Sequence, residues 1–218
     1  MAKGLFITFE GSEGCGKSTQ VELLARRLRA LGHRVRTLRE PGGTSIGEEI
    51  RHTLKHSKAN DAMTAEAELL LMNASRAQLV REIIRPALEA GEIVVCDRFF
   101  DSTTAYQGYG RQLDLNMVKG VIDIAVGRTR PQMTLLLQVP TEISELRRAM
   151  RQSTLPFMRD RMEQADQKFF ARVEEGFNAI AAAEPDRVRV VDGSAPVEVV
   201  CARIWELVTP VLPKVGRW

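Results

Sequence analysis

The sequence predicts an α/β protein with a five-stranded parallel sheet and helices on both faces. Three observations carry this expectation. Apolar strand-like runs alternate with helix-period segments along the whole chain, a glycine-rich loop joins the first strand to the first helix, and no Gly-, Pro- or Ser-rich linker divides the chain. The strand-like runs cover residues 5–10 (LFITFE), 34–40, 93–98, 134–139 and 188–193. Helix-period patterns cover 17–31, 65–90, 116–126, 142–151, 159–183 and 197–208. Pro86 is expected to kink or break the second of these, because it lacks an N–H and its ring crowds the preceding turn. One domain is expected over residues 1–218, with a tail that frays after Pro210.

The first turn carries the most chemistry. The stretch FEGSEGCGKSTQ follows the first strand and opens the first helix, and within it Gly11, Gly16, Lys17 and Ser18 complete G-x-x-x-x-G-K-[ST]. In such a loop the backbone N–H groups and the helix N-terminus face phosphate oxygens. Lysine reaches the β and γ phosphates, and the hydroxyl serves a magnesium ion. The nucleotide-binding set is therefore Gly11, Ser12, Glu13, Gly14, Cys15, Gly16, Lys17, Ser18 and Thr19, with Mg2+ as the metal.

Composition narrows the setting. The chain is 44% hydrophobic and carries a net charge of only +3, with no long basic run, so a dedicated nucleic-acid surface is not expected. No run of eighteen apolar residues is present, which argues against a membrane span. Cys15, Cys96 and Cys201 show neither disulfide nor metal spacing, and the N-terminus runs straight into a strand, so a cytoplasmic protein is expected.

The next question is whether the phosphate is hydrolysed or transferred. The run IVVCDR sets Asp97 at the C-terminal end of a strand, where open α/β sheets bind ligands, and makes it the second magnesium ligand beside Ser18. Arg98 follows, where ATP-driven machines often carry a water-orienting Glu. No N-K-x-D guanine reader is present. Both features favour transfer to an anionic acceptor. A general base is also hard to find: His33, His52 and His56 all read as surface residues. A phosphate monoester acceptor removes the need for one, because its second pKa of about 6 leaves it a dianionic nucleophile at neutral pH.

Several stretches resemble the bacterial thymidylate kinase family in order and spacing: FEGSEGCGKSTQ, REPGGTSIGEEIR, LLLMNASRAQL, DRFFDSTTAYQGYGR and DRMEQADQKFF. The resemblance runs from about residue 4 to about residue 208. It implies the fold of the nucleoside monophosphate kinases, transfer of the γ-phosphoryl of ATP to dTMP for dTTP synthesis, magnesium, and a homodimer. Carried over residue by residue, it implies that Glu13 faces the acceptor sugar and metal shell, Glu40 lines the acceptor site and Arg51 grips the dTMP phosphate. It further implies that Arg76 hydrogen-bonds thymine and Arg98 lies between the two phosphate groups. Ser102 or Thr103, with Gln107, would read the base edge, and Tyr106 would crowd the 2′ position to favour deoxyribose. Competing readings are a kinase of another nucleoside monophosphate or a deoxynucleoside, and a P-loop ATPase that regulates a partner.

Two departures from the family pattern stand out. Met72 occupies a position often held by a phenylalanine that stacks on thymine; its polarizable thioether also packs on rings. The phosphate loop has no arginine, so a mobile lid over about residues 147–161 is expected to deliver one, with Arg148, Arg151 and Arg159 as the catalytic candidates beside Lys17, Arg98 and Glu13. Arg147 shares a helix face with Arg148 and Arg151, and Arg161 follows in the second cluster.

Overall fold

The computed structural model describes residues 4–57, 60–154 and 167–213, with Asp61, Arg148 and 151–154 as backbone only. Five strands form one parallel sheet: β1 (Leu5–Glu10), β2 (Val35–Arg39), β3 (Ile93–Asp97), β4 (Met133–Gln138) and β5 (Val188–Asp192), in the order β2-β3-β1-β4-β5. The register pairs Phe9 with Asp97 and Glu10 with Leu136, so β1 ends beside both central neighbours. The strand order reverses direction around β1. That is the point where an open parallel sheet leaves a crevice at its C-terminal edge.

Strand alternation assigns the two faces. Leu5, Ile7 and Phe9 pack with Val21, Leu24 and Leu28 of α1 (Lys17–Ala30) and with Val200, Ile204 and Val208 of α9 (Val197–Val208). Phe6, Val94 and Cys96 face the opposite way, onto Leu69 and Leu79 of α3 (Ala65–Leu79) and Val118, Ile122, Ala125 and Val126 of α6 (Leu115–Val126). Strands buried on both faces are near-continuously apolar, as β1 and β3 are. Glu10 belongs by this alternation to the Phe6 face, and it is the one charged residue of β1 inside that wall.

Most expected elements are present, with ends moved by one to three residues. The long second helix is interrupted as Pro86 predicts. A π-helical stretch at Val80–Ile84 absorbs the mismatch before α4 (Arg85–Glu89) carries the proline in its first turn. Two elements were not expected. Helix α2 (Ser45–His56) is capped by Thr44, whose hydroxyl accepts from the Gly47 N–H at 3.0 Å. Among its residues only Gly47 and Leu54 are buried, and its apolar stripe of Ile46, Ile50 and Leu54 lies largely outside the core. Helix α5 (Phe100–Thr103) continues as a π-helical stretch through Gly110. A Cβ at Gly110 would stand 2.6 Å from the Phe169 ring, so the glycine admits α8 (Gln167–Ala183) against this segment.

Helix α7 (Thr141–Thr154) runs three residues past its expected end and takes in the first part of the expected lid. The rest of that segment, with Arg159 and Arg161, lies outside the described residues, as does the start of the helix expected from residue 159. No helix of the described residues is long and apolar enough to cross a membrane.

A buried ion pair fixes where α5 sits. Arg187, just before β5, donates to Asp101 Oδ2 at 2.7 Å and Oδ1 at 2.8 Å, and also to Thr134 Oγ1 on β4. Thr134 in turn shares a 2.8 Å hydrogen bond with Thr8 on β1. Removing one member of a buried pair leaves the other charge without compensation, at a cost of about 3–5 kcal/mol. Arg187→Met should lower the urea midpoint by that equivalent, and adding Asp101→Asn should recover part of it.

Candidate active site

The loop after β1 is held open by its own backbone. Gly11 has φ +133°, and a Cβ there would lie 2.2 Å from the Leu137 carbonyl oxygen. Gly16, at φ +97°, caps α1 in a left-handed conformation and turns the helix N-terminus toward the loop. Lys17 is buried, and its Nζ donates to the carbonyls of Gly11 at 3.1 Å and Ser12 at 2.7 Å. Ser18 Oγ donates to Asp97 Oδ2 at 2.6 Å, bringing the end of β3 against the first turn of α1.

Arg98 joins this loop to a second site. Its backbone has φ +70°, a strained left-handed conformation for a residue with a side chain. That turn is pinned on both sides: the Arg98 N–H donates to the Phe9 carbonyl at 2.9 Å, and the Cys96 thiol donates to the Arg98 carbonyl at 3.1 Å. Burial pushes the Cys96 thiol up, which keeps it a proton donor. The guanidinium donates to Gly11 O at 3.0 Å, Ser102 Oγ at 3.0 Å, Glu13 Oε1 at 2.9 Å and the Tyr106 hydroxyl at 3.3 Å. Burial opposes its charge, but Tyr106, Glu13, Asp97 and Glu10 outweigh burial and hold it protonated. Burial likewise opposes the Glu13 carboxylate, and the cations of Arg98, Lys17 and Lys55 overcome it and hold Glu13 well below the usual carboxylate range.

Beyond Arg98 opens a cleft of about 470 Å³, lined by Glu13, Glu40, Pro41, Lys55, Met72, Arg76, Arg98, Ser102, Thr103, Tyr106 and Gln107. Arg76 is only 2% exposed and acts as its strut. It donates to Glu40 Oε2 (2.8 Å), Asn73 Oδ1 (2.9 Å), Thr103 Oγ1 (2.9 Å) and the Phe99 carbonyl (3.1 Å). Glu40 Oε1 is buried with no partner among the described residues, an acceptor left beside the cleft. Burial raises the Glu40 pKa, with Arg76 opposing it. Gln107 is tied to α3 through Glu68, at 2.8 Å. A separate cleft of about 580 Å³ lies between the phosphate loop, the end of β4 and α8. The Arg98 guanidinium thus joins the loop after β1 to the wall of the second cleft.

The family model described as Thymidylate kinase matches residues 9–204. The chain belongs to the thymidylate kinase family. It is 49% identical over 210 residues to the thymidylate kinase of Synechococcus sp. (strain JA-2-3B'a(2-13)), covering 96% of each chain. With the thymidylate kinase of Geobacter sp. (strain M21) the figure is 48% over 196 residues, covering 89% of this chain and 87% of the relative. A crystal structure of thymidylate kinase from Ehrlichia chaffeensis superposes with a TM-score of 0.76 at 31% identity, covering 95% of this chain and 99% of that one. The chain is accordingly a nucleoside monophosphate kinase that uses ATP to phosphorylate dTMP.

Against that family, the expected acceptor residues gather well. Glu40, Met72, Arg76, Arg98, Ser102, Thr103, Tyr106 and Gln107 all line one cleft, and Glu13 reaches it from the loop. Arg51 is the exception: it donates to the Pro41 carbonyl at 2.8 Å and is not among the lining residues. Arg147 donates to the Gly193 carbonyl at 2.9 Å, beside the phosphate loop. Arg148 and Arg151 lie on α7, but their side chains are outside the described residues, as is Arg159.

Sequence reasoning passed over Lys55, Glu10, Glu68 and Arg111. Lys55 had a signal, since it follows Arg51 by four residues on a capped helix. Glu10 ends an apolar strand and reads as the strand's exposed terminus, yet it is fully buried. Its Oε1 accepts from the Phe99 N–H at 2.8 Å and its Oε2 from Ser102 Oγ at 2.5 Å, so it buttresses the turn that presents Arg98.

Burial and the neighbouring Asp101 push the Glu10 carboxyl up to about 8. Between the unfolded value near 4.5 and this one, the folded state holds a proton that the unfolded state has lost, so Glu10's contribution to stability declines as pH rises. Glu10→Gln keeps an acceptor for Phe99 and removes the titration. The urea midpoint of Glu10→Gln relative to wild type should therefore climb steadily from pH 5 to pH 8; a pH-independent difference would contradict this.

Proposed function

We propose that the two sites divide the transfer as follows. The loop from Gly11 to Thr19 cradles the ATP phosphates, Lys17 bridges the β and γ groups, and dTMP enters the cleft beyond Arg98 with its phosphate toward the loop. The observation that carries this reading is the Arg98 guanidinium, bonded at once to the Gly11 carbonyl of the phosphate loop and to Ser102 and Tyr106 of the acceptor wall. A charge fixed there lies between donor and acceptor phosphates, where both repel each other.

Attack needs no general base, because the acceptor phosphate is already dianionic. Catalysis is then positioning and charge neutralisation. Glu13, kept ionised, braces Arg98 and faces the acceptor sugar; Arg51 and Lys55, four residues apart on α2, approach the acceptor phosphate from the other side. Tyr106 sits against the sugar, while Arg76, Thr103 and Gln107 form the base end over Met72.

The metal reading rests on donor chemistry. Ser18 Oγ and Asp97 Oδ2 are hard oxygen ligands 2.6 Å apart at the loop, and Mg2+ takes one or two protein oxygens while keeping several waters. When bound it would neutralise charge on the β and γ oxygens. Exposed Leu70 of α3 and Leu115, Met117 and Ile124 of α6 support a homodimer, and the free thiols of Cys15, Cys96 and Cys201 support a cytoplasmic setting.

The activity test is direct. ATP consumption should depend on added dTMP and yield dTDP, and Lys17→Ala should abolish it. ATP turnover equal with and without dTMP would sink the assignment.

The arginine that closes over ATP is assigned to the lid, to Arg148, Arg151 or Arg159. An arginine of this kind contributes about 10³–10⁵ in rate. Alanine substitutions at Arg147, Arg148, Arg151, Arg159 and Arg161 should include one that depresses kcat by at least about 10³ with little change in KM for dTMP. Five variants all within threefold of wild type, roughly the noise of the comparison, would place that charge elsewhere.

A further inference from the structure

The most informative unassigned group is a buried carboxylate behind the acceptor cleft. Glu68 of α3 is 1% exposed. It is paired with Arg111, whose Nε and guanidinium nitrogen donate to its two oxygens at 3.2 and 3.0 Å, and its Oε1 also accepts from Gln107 Nε2 at 2.8 Å. Arg111 is held over the Phe169 ring, 4.8 Å from its centroid.

We infer that Glu68 and Arg111 are positioning residues that set which end of the Gln107 amide faces the base, and so set the choice of thymine over cytosine. This rests on the proposal that Gln107 reads the base. A carboxylate paired with an arginine has only acceptors to offer. The Gln107 amide must therefore turn its NH2 to Glu68. The planar amide places Oε1 on the other side of its carbon, and among the described residues no donor is paired with that oxygen. Gln107 lines the cleft, so an acceptor is what it presents there.

Arg76, on the same wall, has donors alone, and they are engaged by Glu40, Asn73, Thr103 and the Phe99 carbonyl. The Gln107 acceptor therefore matches the N3–H of thymine, whose neighbouring edge group is the O4 acceptor. Cytosine inverts both groups, offering an N4 amino donor and an N3 acceptor. An unlatched Gln107 could rotate and offer its NH2 to cytosine N3; a latched one cannot. Discrimination is then built into a residue pair that never touches the substrate.

The test compares kcat/KM for dTMP and dCMP. Glu68→Gln is isosteric but can itself donate, so it frees the amide of Gln107 to turn. The dTMP-to-dCMP ratio should fall by about tenfold to hundredfold, the scale of one mismatched buried hydrogen bond, while the KM for ATP holds. A purely structural role would lower both activities alike and leave the ratio in place. If Glu68→Gln does not fold, Glu68→Gln/Arg111→Gln removes the charges together and carries the same expectation.

Gln107→Met supplies the control, since in that background Glu68→Gln should no longer move the ratio. If Gln107→Met alone leaves dTMP use unchanged, Gln107 does not read the base and the underlying reading fails. If it weakens dTMP use but neither Glu68 variant moves the ratio, the reading stands and the positioning role is overturned. Independently of any variant, the Gln107 side-chain amide of 15N-labelled wild-type protein should be protected from solvent exchange with or without dTMP. Protection that appears only with dTMP would mean that the nitrogen faces the base, contrary to the inference.

Discussion

The structure depends on Arg98 being held in an unfavourable backbone conformation with its guanidinium shared between two sites. A left-handed residue with a side chain costs about 1–2 kcal/mol. Here the surroundings over-determine it: Phe9 and Cys96 fix the backbone, and Glu10 fixes the next N–H at Phe99. The reason to sustain the strain is directional. A β-region backbone at the end of β3 would send the side chain to one face of the sheet, whereas the turn swings it across the sheet edge to Gly11 and Glu13. In the proposed transfer this same charge serves donor and acceptor phosphates from a fixed position.

That arrangement explains why so much polar chemistry is buried under the apolar sheet. Ser102 fastens α5 to Glu10 of β1, and Asp101 fastens it to Thr134 of β4. The acceptor cleft repeats the scheme, with Arg76 braced by Glu40, Asn73 and Thr103 and Gln107 by Glu68. Groups that meet substrate are thus locked by partners behind them, which holds them in geometry close to that needed for transfer.

Much of this was legible in the chain. The phosphate loop declares itself because its glycines and Lys17 must stand at fixed spacing, and strands β1, β3 and β4 declare themselves because burial on both faces leaves little but apolar residues. Helix α2 was missed although Ile46, Ile50 and Leu54 stand at helical spacing, because that stripe is short and set among glycine, polar and charged residues. The α5 segment was hidden because close packing by α8 and a π-helical turn replace the 3.6-residue period that pattern reading relies on. Glu10 and Glu68 were missed for one reason: a carboxylate on a strand end or a helix reads as solvated, and only tertiary contacts with Phe99, Arg111 and Gln107 show it to be buried. Arg51, assigned by resemblance to the acceptor phosphate, donates to the carbonyl of Pro41, a residue of the cleft wall.

On the proposed division of the site, Arg98 serves both phosphates at once, and its worth is realised in transfer more than in binding ATP. Arg98→Met keeps the length of the side chain and removes the charge. Measured by steady-state kinetics together with calorimetric titration of ATP in the absence of dTMP, it should lower kcat by about 10³ or more, on the scale of an arginine that stabilises a transferring phosphoryl group, while the Kd for ATP stays within about threefold. A variant that keeps kcat near wild type, or that loses ATP binding in proportion to its loss of rate, would contradict the account.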